Sequence, residues 1–274
     1  MQPVVLFDLS YMMHRAFASG YSLAYQGKPT GLIYKFFSSI IAELRKHQPV
    51  QYIFAADSPP YLRSQQFEAY KAHRKNFSDD YYMQAQVISD FLQTTTTSMV
   101  SSPGFEADDI LACYCQKYPE ITFIIISSDQ DLYQCITPNV SCYNPQTKKL
   151  LTYEVFQETY NILPTQWPVV KALIGDSSDN ITGINGIGLK TALKYIQGVA
   201  SEKQRLKIEA EAHCIQRNLD LITLPYPQLI PDLPEIHEIR YFVSEQSLET
   251  LYQKYGIKSL LKQIPQHTAL FNCK

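Results

Sequence analysis

The amino-acid sequence lacks the features that mark membrane, secreted and repetitive proteins. No apolar run in its 274 residues approaches the roughly 20 that a membrane-spanning helix needs. The N-terminal segment has no basic stretch and no cleavage site, so we expect no signal peptide. Internal repeats and low-complexity tracts are missing, apart from a run of threonines at 94–97. With 45% hydrophobic and 18% charged residues, the composition indicates a globular protein, which we expect in the cytoplasm.

The cysteines and histidines lack the spacing of metal-binding and redox-active motifs. The six cysteines include no CxxC pair, which favours free thiols in a reducing cytoplasm. The six histidines lie apart from one another and show no metal-ligand spacing. The sequence shows no Ser–His–Asp or Cys–His signature of an enzyme that uses a nucleophilic side chain. Any metal site would therefore have to be built from oxygen ligands.

Short apolar runs alternate with helix-like segments in the first half of the chain. Residues 4–7, 52–56 and 123–127 are β-branched and aromatic, which is typical of strands buried on both faces of a parallel sheet. Residues 31–47 and 106–118 have the apolar spacing of amphipathic helices. This alternation predicts an α/β fold with a central, mostly parallel sheet flanked by helices.

After about residue 160 the pattern becomes mostly helical. We therefore predict two regions, 1–160 and 161–274, packed as one structural unit. The predicted elements of the second region follow in chain order: helices at 164–175, 189–197 and 201–224, a proline-rich connector at 224–234, and a helical pair at 244–264 broken near Gly256.

Carboxylates follow each of the three predicted strands. Asp8 ends the first strand, Asp57 ends the second, and Asp129 and Asp131 follow the third. Ligands of open α/β sheets bind beyond the carboxyl ends of the strands, so these acids are aimed at one edge of the sheet. A single Asp after a strand is more often a helix N-cap, but three such strands in one chain favour a shared site.

Two further acidic clusters lie beside predicted helices. Glu106, Asp108 and Asp109 open one helix, where the helix dipole alone would also favour acids. Asp176 and Asp179 lie three residues apart in the segment GDSSDN. If all nine acids converge, they need cations to remain ionised, and all-oxygen ligands suit Mg²⁺ or Mn²⁺. Two such ions held side by side are typical of phosphodiester hydrolysis.

The overall charge is compatible with a nucleic-acid partner once these acids are set apart. The formal net charge of −2 argues weakly against such a partner when taken alone. Removing the nine site acids from the 26 Asp and Glu residues leaves 17, against 24 Lys and Arg residues. The rest of the surface would then be basic.

Five segments, taken in order, resemble the motifs of the 5′-nuclease family. That family includes the 5′→3′ exonuclease domain of bacterial DNA polymerase I, its stand-alone relatives and the flap endonucleases. The segments are FDLSYMMHRAF, AADSPPYLRSQQFEAYKAHRKN, GFEADDILA, SSDQDLYQ and GDSSDNITGINGIGLKTA. A final segment, LETLYQKYGIKSLLKQI, resembles the end of the polymerase-linked domain, and no polymerase follows it, so we expect a stand-alone form. The resemblance implies a PIN-like 5′-nuclease core with a helical arch and a helix–three-turn–helix region that grips duplex DNA.

The resemblance also implies metal-binding roles for the acids. They would form two groups, one around each ion: Asp8, Asp57, Glu106 and Asp108 around the first, and Asp129, Asp131, Asp176 and Asp179 around the second. Asp109 would act through water or between the two sites.

Basic residues complete the implied active site. Lys71 and Arg74 match a family pair at the base of the arch, where they would contact the scissile phosphate and act as catalytic residues with Asp8 and Asp57. Arg63 matches another family arginine and would bind DNA. By itself, the run KAHRK would more often be a solvated basic surface.

The resemblance assigns the glycine-rich segment to duplex DNA. Backbone N–H groups at Gly183, Gly186 and Gly188, with Lys190 and Thr191 at the next helix start, would hold a duplex phosphate. A K⁺ ion would sit between the carbonyls of this turn and the DNA. The alternative for the glycines alone is a turn without a ligand.

The arch is expected over about residues 65–95. Its aromatic residues Tyr81, Tyr82 and Phe91 would stack on bases or pack in the core, and packing is the favoured role.

The function implied is that of a monomeric, metal-dependent 5′-nuclease located with the nucleoid in the cytoplasm. Its substrates would be DNA with a 5′ flap, overhang or nick, and RNA–DNA hybrids. Two alternatives remain open. One is a DNA-structure-binding protein without catalysis. The other is a phosphatase of the haloacid dehalogenase type, which needs an acid two residues after its nucleophilic Asp, where this chain has Ser10.

Overall fold

The protein was examined as a computed structural model, which describes residues 2–20, 22–74 and 76–273. The chain forms two compact units. Unit 1 comprises residues 1–56, 76–101 and 233–274, and unit 2 comprises residues 57–75 and 102–232.

The helices and strands follow one another along the whole chain. The strands are β1 (Val4–Asp8), β2 (Ala24–Tyr25), β3 (Lys28–Pro29), β4 (Gln51–Ala55), β5 (Met99–Val100), β6 (Phe123–Ile126), β7 (Val140–Asn144), β8 (Lys149–Leu151), β9 (Gly175–Asp176) and β10 (Ile181–Thr182). The α-helices are α1 (Leu9–Gly20), α2 (Gly31–His47), α3 (Leu62–Gln66), α4 (Asp79–Thr95), α5 (Ala107–Lys117), α6 (Tyr153–Tyr160), α7 (Trp167–Ile174), α8 (Leu189–Ile196), α9 (Glu202–Glu209), α10 (Ala212–Ile222), α11 (Glu245–Lys254), α12 (Lys258–Leu261) and α13 (Ile264–Phe271). Short 3₁₀ helices cover Asp131–Cys135, Pro164–Gln166 and Ile236–Glu238.

Parallel pairing dominates the strands of unit 1, and unit 2 contains both parallel and antiparallel pairs. In unit 1, β1 pairs with β4 in parallel, in register from Val4 opposite Gln51 to Asp8 opposite Ala55, and β4 pairs with β5 in the same way. In unit 2, β6 pairs with β7 in parallel, and β8 runs antiparallel to β7. The runs in β1 and β4 are buried on both faces, as their continuous apolar sequence predicts. The predicted α/β class with mostly parallel strands is therefore confirmed.

Helix α4 packs along one face inside unit 1. Tyr81, Ile88 and Phe91 recur at helical spacing and are buried, while Tyr82 is exposed. The side-chain amide oxygen of Gln84 accepts the N–H of Leu32 at 2.9 Å, which ties α4 to the start of α2. Packing is thus the role of two of the three aromatic residues that the sequence placed in an arch. The predicted arch over 65–95 is divided between the two units, and its position 75 lies outside the described residues.

The C-terminal segment belongs to unit 1, although the sequence pattern suggested a boundary near residue 160. The hydroxyl of Tyr241 accepts the N–H of Tyr52 and donates to its carbonyl oxygen, both at 2.8 Å. The hydroxyl of Tyr52 in turn donates to the carbonyl of Phe271 at 2.7 Å. Two tyrosines therefore fasten residues 233–274 to strand β4.

The helical part of unit 2 is held together by a buried amide. The side chain of Asn218 on α10 donates to the carbonyl oxygens of Ala172 at 2.9 Å and Thr182 at 3.0 Å. Around it, α7 and α10 enclose a small core that includes Ile181 and Leu221. This core supports the hairpin of β9 and β10, which carries two of the predicted site acids.

The prediction of a single helix over 201–224 is wrong. The structure has two helices there, α9 and α10, which are separated at residues 210–211. Ile208 is the buried residue of α9, and the next buried ones are Asn218, Leu221 and Ile222 on α10. The polar stretch between them offers no continuous apolar stripe, so each half packs on its own. The predicted break near Gly256 is confirmed, and a further helix, α13, follows it.

Two expectations from the sequence concern the cysteines and membrane-spanning helices. All six cysteines are free thiols. Across the described ranges, no helix combines the length and the apolar character needed to cross a membrane.

Candidate active site

Eight of the nine predicted acids lie in unit 2, and Asp8 lies in unit 1. Asp8 is the last residue of β1, and its carboxylate accepts the N–H of Tyr11 at 2.9 Å. It therefore caps the start of α1, the ordinary role of an Asp after a strand. Asp57 follows β4 in sequence, and its carboxylate accepts the N–H of Ala107 at 2.9 Å, which places it at the start of α5.

Asp109 is a sealed carboxylate at the first turn of α5. It is 0% exposed and accepts two hydrogen bonds from Arg63, at 2.6 and 2.8 Å. It also accepts the N–H groups of Tyr226 at 2.8 Å and Glu106 at 3.2 Å. Four donors fill the acceptor positions of the two oxygens. The predicted metal role of Asp109 does not fit this geometry, which gives the residue a structural role.

Arg63 is buried at 3% exposure, and its side chain faces protein on every side. Besides Asp109, it donates to Glu106 at 3.0 Å and to the carbonyls of Leu221 at 2.8 Å and Thr223 at 3.1 Å. Burial alone would lower its pKa, but the bonds and charges of Asp109 and Glu106 raise it, so the guanidinium stays charged. The DNA contact predicted for Arg63 does not fit this burial, and the residue instead joins α5 to the end of α10.

Lys71 and Tyr70 hold Glu106 and Asp179 side by side. The ammonium of Lys71 is hydrogen-bonded to Glu106 and lies 3.7 Å from Asp179. The hydroxyl of Tyr70 donates to Glu106 at 2.8 Å and contacts Asp179 at 3.3 Å. Burial lowers the pKa of Lys71, but the two carboxylates raise it further, so the lysine remains an ammonium. Two acids from distant parts of the chain thus share one partly buried cation.

The backbone of Lys71 adopts a conformation that L residues seldom use. Its φ is +55°, in the left-handed region, and its N–H donates to the carbonyl of Asp179 at 3.0 Å. The side-chain amide of Asn180 donates to the carbonyl of Ala69 at 2.8 Å. Strained backbone of this kind is often kept at functional sites, and here the two hydrogen bonds hold the segment of Lys71 against that of Asp179.

Arg74 differs from Arg63 because half of its side chain is exposed. One guanidinium nitrogen lies 2.5 Å from Asp179, and another donates to the carbonyl of Ser178 at 3.3 Å. The exposed half of the side chain leaves room for its remaining donors to bind an anion.

A second acidic group surrounds Lys171, a residue that the sequence reasoning missed. The ammonium lies 3.0 Å from Asp131 and 2.6 Å from Asp176. Asp129 accepts the N–H of Asp131 at 2.8 Å, and Asp176 accepts the N–H of Ser178 at 2.7 Å. The available signal was a lone lysine within the apolar helix WPVVKALI. Tyr70 was missed as well, since a tyrosine beside a basic run gives no sign of its partners.

The carboxylates of this second group repel one another. Burial, followed by the charge of Asp129, raises the pKa of Asp131 to about 7. Burial also raises the pKa of Asp129. The pKa of Asp176 is lowered, because its hydrogen bonds with Lys171 and Ser178 outweigh the effect of burial.

The second group suits a hard divalent cation by its donor chemistry. Asp129, Asp131 and Asp176 offer only oxygen, and the buried Oδ1 of Asp131 lies 3.0 Å from the ammonium of Lys171. Within the described part of the chain, no three acidic, histidine or cysteine side chains already surround a point at metal-binding distance. Lysines lie between the acids instead, so a bound ion would share its ligands with them.

The glycines of the predicted DNA grip have different structural reasons. A Cβ at Gly183 would lie 2.2 Å from the carbonyl carbon of Ile174, so close backbone packing in the hairpin requires glycine there. Gly186 has φ +73° in a turn. Gly188 has an ordinary φ of −101°, and a Cβ there would meet nothing within 4 Å. The fold therefore explains the first two glycines and leaves the third without a structural reason.

Family models cover most of the chain. A model described as "5′-3′ exonuclease, N-terminal resolvase-like domain" matches residues 3–161. A second, described as "5′-3′ exonuclease, C-terminal SAM fold", matches residues 162–223.

Curated relatives are similar at about 30% identity. The 5′-3′ exonuclease of Aquifex aeolicus is 29% identical over 276 residues, which cover 96% of each chain. The thermostable DNA polymerase I of Thermus thermophilus is 30% identical over 279 residues, which cover 93% of this chain. The chain spans 33% of the length of that polymerase.

The fold has counterparts among solved structures. The phage T5 D15 flap endonuclease, in a complex with DNA and metal ions, superposes with a TM-score of 0.67 at 19% identity, covering 97% of this chain and 99% of that one. Such identity supports the 5′-nuclease fold alone. With a family model matching more than half of its residues, the chain belongs to the 5′-3′ exonuclease family.

Proposed function

We propose that the protein is a metal-dependent 5′-nuclease that hydrolyses phosphodiester bonds near junctions of single- and double-stranded DNA. The observation that carries this proposal is the network in which Lys71 and Arg74 meet Glu106 and Asp179. Acids and bases from separate segments are thereby gathered beside a half-exposed arginine. Membership in the family and the complex of the T5 relative with DNA and metal ions support the same reading.

Apart from Asp109, whose acceptor positions are filled, the acids of unit 2 would form two groups, one around each divalent ion. Asp129, Asp131, Asp176 and Asp179 would hold one Mg²⁺ or Mn²⁺ ion. Asp57, Glu106 and Asp108 would hold the other. When bound, such ions supply an activated water and stabilise the leaving oxygen.

The protein's own cations would act on the phosphate. Lys71 is held as an ammonium by its carboxylate neighbours and is directed by its contacts with Glu106 and Asp179, so it would stabilise charge on the scissile phosphate. Arg74 would orient the same group through its solvent-facing donors. Tyr70 would keep Glu106 and Asp179 in place while the charges around them change.

The duplex would be held at the turn before α8. The missing side chain at Gly188 leaves the backbone open to a phosphate, with Lys190 and Thr191 in the first turn of the helix. A K⁺ ion at the carbonyls of this turn belongs to the same proposal. The substrates would be DNA with a 5′ flap, overhang or nick, and RNA–DNA hybrids, cut by a monomer located with the nucleoid in the cytoplasm.

A labelled 5′-flap substrate, incubated with Mg²⁺, Mn²⁺ or EDTA, tests the proposal. We expect cleavage near the junction with either ion and none in EDTA. Binding without cleavage would support a DNA-structure-binding protein instead. Turnover of a small phosphate ester, but not of DNA, would support a phosphatase.

The role of Lys71 is tested separately by Lys71→Ala. Because the ammonium is proposed to stabilise charge that develops during cleavage, the single-turnover rate should fall by about 100-fold. The affinity for the flap substrate should change much less. A variant that bound poorly but cut at the wild-type rate when saturated would contradict the assignment.

A further inference from the structure

Lys171 is a buried cation on a helix that is otherwise apolar. Lys171 is 6% exposed, and its neighbours Val170, Ala172 and Leu173 on α7 are fully buried. Lysines are almost never buried to this extent unless they are paired. The charge of Lys171 therefore serves contacts inside the protein and does not contribute to a charged surface.

Those contacts join two separate segments of unit 2. Asp131 begins the 3₁₀ helix after β6, and Asp176 ends β9. One ammonium reaches both, at 3.0 Å and 2.6 Å. Without it, these two carboxylates and Asp129 would repel one another. No other lysine or arginine of the described ranges forms an ion pair with them.

We propose that Lys171 is a positioning residue that sets the divalent-ion affinity of the second acidic group. It holds Asp131 and Asp176 together and cancels part of their charge. This inference rests on the proposed function, because it takes the group to be an ion-binding site.

Two opposite consequences follow from that charge. Close to the carboxylates, the ammonium repels an incoming divalent ion and so weakens its binding. In the absence of the ion, the same ammonium relieves repulsion among the acids and stabilises the fold. Lys171 thus keeps the acids in place when no ion is bound, and the ion then binds less tightly than it would to the same acids without the ammonium.

The test is Mn²⁺ binding without DNA, measured by electron paramagnetic resonance and calorimetry. Lys171→Met and Lys171→Gln remove the charge, and Lys171→Arg keeps it. Lys149→Met, on exposed strand β8 of the same unit, is the matched control. We expect one class of Mn²⁺ site to bind about tenfold tighter in the Met and Gln variants, and both Arg and control variants to resemble the wild type.

Thermal unfolding supplies a second readout. In EDTA the Met and Gln variants should melt at lower temperature than the wild type, and saturating Mn²⁺ should raise their melting temperature by more than it raises that of the wild type. If Lys171→Met fails to fold, Lys171→Gln and Lys171→Arg still give the comparison of charge.

The outcomes separate this inference from the proposed function. Equal or weaker Mn²⁺ binding in the charge-removed variants would overturn the role of Lys171, while flap cleavage by the wild type would leave the nuclease proposal standing. A wild-type protein that bound no Mn²⁺ and cut no DNA would overturn both.

Discussion

Two carboxylates of unit 2 are each paired with an arginine, and the surroundings of the two pairs differ. Asp109 and Arg63 are both buried, at 0% and 3% exposure, and every oxygen of the carboxylate is bound by N–H donors. Asp179 meets Arg74 at 2.5 Å, and half of that arginine is exposed. Residue type alone does not distinguish these two ion pairs. What separates the sealed pair, Asp109 with Arg63, from the open pair, Asp179 with Arg74, is the exposure of the arginine.

For the open pair, Asp179 with Arg74, the largest loss of cleavage is expected from Asp179→Ala. The carboxylate is proposed to hold a divalent ion, so its loss should reduce flap cleavage by roughly three orders of magnitude or more. Binding to the flap substrate, measured by fluorescence anisotropy in Ca²⁺, should remain detectable. Cleavage by this variant at near the wild-type rate would contradict the metal role of Asp179, and the same test applies to Asp131→Ala.

The sealed pair is broken by Arg63→Met. The substitution leaves the buried Asp109 without its charged partner, so the free energy of unfolding should fall by about 3–5 kcal/mol. Urea denaturation monitored by circular dichroism measures the change. A stable Arg63→Met protein with weakened DNA binding would show that the arginine reaches the substrate after all.

The same substitution at the open pair, Arg74→Met, should act in the opposite way. An ion pair with one exposed partner contributes little, so the free energy of unfolding should change by less than about 1 kcal/mol. The single-turnover cleavage rate should fall by about 30-fold, because the guanidinium is proposed to orient the phosphate. Loss of stability without loss of rate would remove the distinction between the two arginines.

The strands and the strand-end acids could be predicted because their signals are local. The continuous apolar runs of β1, β4 and β6 need no knowledge of their neighbours, and Asp8, Asp57 and Asp129 follow them in sequence. The break between α9 and α10 was not predicted, since it depends on which side chains find a core. Helix propensity alone favours continuing through Ala210 and Glu211, which lie between them.

The role of Arg63 could not be predicted, because its partners lie far along the chain. The carbonyls of Leu221 and Thr223 are 158 and 160 residues away in sequence. Lys171 was open to prediction, since a lone charge in an apolar helix needs a partner when buried. Its partners Asp131 and Asp176 were both recognised, but as ligands of an ion and not of a lysine.

The smallest expected effects compare two glycines within one segment, Gly183 and Gly188. Gly183→Ala places a Cβ 2.2 Å from a backbone atom of Ile174, so it should lower the free energy of unfolding by about 2 kcal/mol. Gly188→Ala meets no atom within 4 Å and should leave stability unchanged. If a duplex phosphate approaches this turn, the added methyl group of Gly188→Ala should weaken duplex binding by about tenfold, measured by anisotropy at fixed salt. Unchanged affinity would mean that the phosphate is held elsewhere, and that the open pair at Arg74 makes up a larger share of the DNA contact.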